Sequence, residues 1–215
     1  MTISDIINLC LTIVTIIIAS IALWQTHKQI KLSNKQQLFE RRLDQFHLIK
    51  ELIFLYEKGR GFLKDKDIAE EVTVIFTFLT NNSRLESMAS VMSNPLGQEE
   101  KINFLKKCEM LEKSAIEITL IWKEKYARDI SDFIFQYMLL LKALHKQQIF
   151  IKKMHDENEQ PKFKNSITLD EYLKRLNQWA ERNGLFDTIK HLDEKFNKIK
   201  GADGEQKLKE SLMLN

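Results

Sequence analysis

Residues 7–24 read INLCLTIVTIIIASIALW, and with Ile6 in front they form a run without one charged side chain. At about 1.5 Å of rise per residue, a helix over residues 6–24 matches a hydrocarbon core of roughly 30 Å. Later parts of the chain mix charged and apolar residues at helical spacing. The expected fold class is therefore all-α, with one N-terminal transmembrane helix continuing into a cytosolic multi-helix bundle.

Two other readings of the run fit less well. A buried core helix would be shorter and show a polar edge. A cleaved signal peptide wants a basic start, and residues 1–5 (MTISD) supply an acid and the terminal amine, although Ser20-Ile21-Ala22 has the small-x-small form of a cleavage site. No Lys or Arg precedes the run, whereas Lys28, Lys31, Lys35, Arg41 and Arg42 follow it. Basic residues stay on the cytoplasmic side, so a single pass with the N-terminus outside and the C-terminal domain inside is expected. Trp24 would lie at the inner boundary, where an amphipathic ring favours the headgroup level.

The polar and small residues of the run recur at spacings of four and three: Asn8, Thr12, Thr15, Ala19, Ala22, then Thr26. They share one helix face. Lipid offers helices no hydrophobic reason to associate, so small residues that permit close approach and polar ones that bond across take that role. This membrane association face (Asn8, Thr12, Thr15, Ala19, Ala22) predicts self-association. The alternative is that the hydroxyls bond back to carbonyls of their own helix.

Beyond the run, about 190 of the 215 residues remain, enough for one domain with a sizeable core. Pro (2) and Gly (6) are scarce, which suits long helices joined by short turns. A formal charge of +3 with interleaved signs argues against nucleic acid as the main partner. The basic cluster after the run could also touch anionic lipid. Cys10, in the apolar run, and Cys108, in a later helix, cannot make a disulfide framework or a zinc site and each reads as a small apolar filler, which fits a reducing cytosol for the C-terminal domain.

The chain divides into four segments: an anchor (1–27), a juxtamembrane amphipathic helix (28–58), a helical bundle (59–200) and a tail (201–215) that is frayed helix or disordered. Phe39, Leu43, Phe46, Ile49, Ile53 and Tyr56 form an apolar seam that either packs on the domain or zips to a second copy. It ends at Gly59-Arg60-Gly61, where a glycine can supply a left-handed cap. A helix over residues 67–80, capped by Asp67, has a β-branched part, VTVIFTFL, that could pass for a buried strand. Ser83 with Glu86 reads as a capping box, and residues 93–97 (SNPLG) as a turn. Long helices are expected over residues 98–126 and 129–155. The apolar centre of the second, FIFQYMLLL, is too short and too closely flanked by Asp132, Gln136, Lys142 and His145 for another span, so it reads as the central helix of the bundle. Residues 156–166 form a polar loop with Pro161. Thr168 with Glu171 opens a helix that ends at Gly184, and a last helix covers residues 186–200.

No catalytic motif stands out. The glycines do not form a phosphate loop, and no cofactor or metal is implied. His155-Asp156-Glu157 and His191-Asp193-Glu194 read as solvated groups rather than metal ligands. Arg42 and His47 match the R-x4-H spacing of HEPN-type helical ribonucleases, in which His would move a proton and Arg hold phosphate. That makes Arg42 and His47 the candidate catalytic pair, and a membrane-tethered HEPN-like ribonuclease the enzymatic alternative. The weight of the residues is against an enzyme.

The order of features also carries a resemblance. The Ile-rich run, the Gln/Lys-rich stretch WQTHKQIKLSNKQQ (24–37) and LFERRLDQF (38–46) are similar to small single-span bacterial inner-membrane proteins of anti-phage loci, the abortive-infection and retron-associated membrane effectors. The resemblance covers about residues 6–56 and is compositional. It implies an antiviral-defence effector in the inner membrane, acting after self-association or sensor binding, with the bilayer, a second copy and a protein partner as its associates. A passive membrane tether for a partner protein is a further alternative. No functional residue is carried over.

Overall fold

The computed structural model of the chain describes residues 3–64, 69–122, 124–158 and 168–213. Among these there is no strand. There are eight α-helices: α1 (Ile3–Gly59), α2 (Val72–Leu79), α3 (Ser90–Ser93), α4 (Gln98–Ile121), α5 (Lys125–Asn158), α6 (Leu169–Arg182), α7 (Leu185–Gly201) and α8 (Gly204–Met213). Short 3-10 turns lie at Phe62–Lys64 and Glu86–Met88. The chain forms two compact units, Met1–Asp44 and Gln45–Asn215, and α1 belongs to both. No Pro or Gly interrupts α1 before Gly59.

The second unit is built around α5, which packs on α2, α3, α4, α6, α7 and α8. Its inner face, Ile130, Phe133, Ile134, Tyr137, Leu141 and Leu144, repeats at three and four and is fully buried. The seam of α1 joins the same core through Ile49, Leu52, Ile53 and Tyr56. The Tyr56 ring meets Phe133 and Phe196 at centroid distances of 5.9 and 5.0 Å. Each such aliphatic or aromatic burial stabilises the fold by about 1.5–3 kcal/mol. In α2, Val72, Ile75, Phe76 and Leu79 are buried at helical, not alternating, spacing. The β-branched character of this segment is overridden by packing.

Polar side chains on α5 bond to backbone carbonyls of the elements packed around it. Gln147 donates to Ala69 and Leu176 carbonyls, each at 3.1 Å, and accepts from Asn183 Nδ2 at 3.1 Å. Tyr137 donates to the Leu79 carbonyl at 2.6 Å, and Gln148 Nε2 to that of Met92 at 3.0 Å. His145 Nε2 faces the Pro95 carbonyl at 3.3 Å with its ring against Phe104. Burial, with Lys101 adding to it, holds the His145 imidazole below its usual range, although the Pro95 carbonyl opposes the shift.

Several boundaries differ from expectation. The left-handed cap at Gly59–Gly61 is not used, since Gly184 (φ 74°) is the one described glycine with positive φ. Gly59 instead sits in a tight space: a Cβ there would lie 3.0 Å from the Phe78 ring, which would have to shift to admit it. The Ser83 capping box is displaced by its neighbour: Asn82 Oδ1 accepts from the backbone N–H groups of Arg84 and Leu85 at 3.0 and 2.8 Å. α4 stops at Ile121, where Trp122 turns extended and buries its ring, and Tyr126 falls in α5. Part of the tail is helical, and Leu208 of α8 is fully buried. The Thr168 cap forms, with Thr168 Oγ1 accepting from Glu171 N at 3.3 Å, while the Glu171 carboxylate accepts from Arg175 Nη2 at 2.6 Å rather than closing the box. The Asp67 cap and the Pro161 part of the polar loop lie outside the described residues.

Candidate functional site

In the first unit every described side chain of residues 6–24 is exposed, and the most apolar 18-residue stretch of α1 has none of its residues buried inside the chain. Ile6, Ile7, Leu11, Ile13, Val14, Ile16, Ile17, Ile18, Ile21, Leu23 and Trp24 are each 49–73% exposed. A water-facing protein surface seldom carries so continuous an apolar patch. α1 is long and apolar enough to cross a membrane.

Asn8, Thr12, Thr15, Ala19 and Ala22 are exposed on this helix, within an arc of about 80°. Thr12 Oγ1 donates to the Asn8 carbonyl and Thr15 Oγ1 to the Leu11 carbonyl, both at 2.8 Å. Ser20 and Thr26 do the same with Ile16 and Ala22 at 2.8 and 2.9 Å. The hydroxyl protons are thus used within the helix, as in the back-bonding alternative. The oxygens keep a free lone pair, and the small side chains still leave a shallow surface for a second helix.

Arg42 is half-buried and His47 exposed. A separation of five residues turns two side chains about 140° apart around one helix. The His47 ring lies 6.3 Å from that of Phe46. Among the described residues no group of three His, Cys, Asp or Glu side chains is placed to hold a metal.

Asp193, read from the sequence as solvated, is a hub. Arg60 Nη2 donates to Asp193 Oδ2 at 2.7 Å and Arg60 Nε lies 2.5 Å from Oδ1. Tyr56 Oη donates to Oδ1 at 3.2 Å and Asn197 Nδ2 to Oδ2 at 3.1 Å. Partial burial alone would raise the Asp193 carboxyl, but the Arg60 bond and charge, with Tyr56 and Asn197, outweigh it and hold it below the usual range. Burial, then the Asp193 charge, push the Tyr56 phenol well above its usual range. A carboxylate so occupied is a poor base; it ties the end of α1 to α7 beside a cleft of about 200 Å³ lined by Leu63, Phe186 and Ile189. Sequence spacing could not find this cluster, because its partners lie far apart in the chain. The nearest signal was an Arg set between two glycines at a helix end.

Comparison of the chain with protein-family models, with curated proteins and with solved structures gives no match.

Proposed function

We propose that this chain is a membrane-anchored helical effector or interaction protein. One observation carries the reading: the apolar stretch of α1 has no residue buried by the rest of the chain. The bilayer is the solvent that such a surface fits. The following Lys28, Lys31, Lys35 and Arg41 support a single pass of the bacterial inner membrane with Gln45–Asn215 in the cytoplasm. The bundle would bind a sensor or protein partner, and association through Asn8, Thr12, Thr15, Ala19 and Ala22 would perturb the bilayer in antiviral defence. The resemblance of residues 6–56 to anti-phage membrane effectors supports that role. Induction should collapse the membrane potential as growth stops, read with a voltage-sensitive dye. Full toxicity with unchanged polarisation would remove the effector reading.

The bonding of Thr12 and Thr15 to their own helix favours a second reading, a passive tether that presents the bundle to a partner. Deleting residues 1–27 separates the two. A tether loses only its location, and a partner still co-purifies with the bundle.

A further inference from the structure

α4 carries apolar residues on two sides. Its inner face, Phe104, Cys108, Leu111, Ala115 and Ile118, is buried against the core. A second set, Ile102, Leu105, Ile116 and Leu120, points outward and is 46, 48, 56 and 72% exposed. The fold already has its buried face on α4, so this outer set is surplus to it. At the middle of the stripe sit Glu109 and Lys113, paired at 2.7 Å and largely exposed.

The order is apolar, apolar, acid, base, apolar, apolar, and it is close to symmetric about Leu111. We propose that this stripe is a contact between two copies of the chain, with their α4 helices packed antiparallel about a two-fold axis at the level of Leu111. That axis sets Ile102 of one copy against Leu120 of the other and Leu105 beside Ile116. It also sets Glu109 against Lys113, twice. A two-fold interface requires one patch to complement itself, and this one does so in both apolarity and charge. Parallel packing would oppose Glu109 to Glu109 and Lys113 to Lys113, which repel. Between Ile102 and Leu120 the stripe runs about 27 Å. A contact of that length lies at the small end of stable interfaces, so it is weak and suited to a high local concentration.

The stripe lies within the Gln45–Asn215 unit and does not depend on the membrane reading. The test uses full-length chains in a Cys10→Ala background. Cys108 stays, because burial pushes its thiol up to about 11 and keeps it unreactive. Differently tagged chains, one with Ile102→Cys and one with Leu120→Cys, are co-expressed and oxidised. A cross-linked heterodimer is expected; its absence, or an Ile102→Cys chain that cross-links to itself, overturns the proposal. Glu109→Lys in both chains should cut the yield several-fold. Glu109→Lys in one and Lys113→Glu in the other should restore it, although neither chain then has its internal pair; a mixed pair no better than the doubly basic one also overturns the proposal. Unchanged helicity and melting temperature confirm that each variant folds. Whether the product pellets with membranes tests the anchor separately, so the two ideas fail independently.

Discussion

Residues 6–24 and 46–56 of α1 are both rich in Ile and Leu, yet they meet opposite surroundings. In the second stretch the apolar residues follow the helical repeat: Ile49, Leu52, Ile53 and Tyr56 are buried, while His47, Lys50 and Phe54 face out. In the first they go all the way round, and none is buried. A helix apolar on one side asks its own chain for a partner. A helix apolar on every side asks for a different solvent. The distinction is one of period, not of composition.

The strongest way to break this comparison is to place a charge in each stretch. Ile49→Asp should abolish cooperative melting or cost more than about 4 kcal/mol, since it buries an unpaired carboxylate. Ile16→Asp should leave the melting of the bundle unchanged; circular dichroism in detergent reads both, and an equal fall in both would erase the contrast. Next comes Asp193→Ala, which leaves Tyr56 and Arg60 without their acceptor at the end of the buried stretch. It should cost about 1–3 kcal/mol, seen as an earlier urea midpoint. If Asp193→Asn costs as much, then charge, not shape, holds the cluster.

A smaller effect concerns pH. The folded His145 imidazole titrates below its ordinary value of 6.5, so the unfolded chain binds the proton first as pH falls. Stability is therefore full above about 6.5 and declines below it until the folded ring is protonated too. Melting at pH 7.5 and 5.5 should show the loss, and His145→Gln should flatten it. A slope that survives this substitution would place the proton elsewhere. The smallest effect belongs to the exposed stretch. Asn8→Leu with Thr15→Leu should weaken association in lipid two- to threefold, in keeping with about 0.6 kcal/mol for polar contacts between spans. Energy transfer between labelled chains measures it, and no change would leave back-bonding as the whole role of these groups.

Helical character, the apolar stretch, the strand-like but helical α2, the central α5 and the Thr168 cap were legible because each is written in local period or local capping. Features set by competition or distance were not. Asn82 takes the capping place expected of Ser83: its side chain accepts from the Arg84 and Leu85 N–H groups and its backbone carbonyl from that of Glu86, and only geometry decides between two good acceptors. Trp122 ends α4 because its ring finds a pocket, with no Gly or Pro to announce it. The Asp193 hub joins groups from α1 and α7, and a reading along the chain sees a solvated acid and a stray Arg. The outer stripe of α4 was hidden differently: Ile102 and Leu105 recur at helical spacing just as the buried residues do, and only burial shows which face the core has taken.

Cys108 has a practical consequence of its own. Its sulfur is shut in the core, so a thiol reagent can reach it only when α4 lifts away from its neighbours. Labelling rate against reagent concentration then becomes a clock for that opening. Once Cys10→Ala removes the exposed thiol, the chain carries, without any added probe, a gauge of how often its bundle breathes.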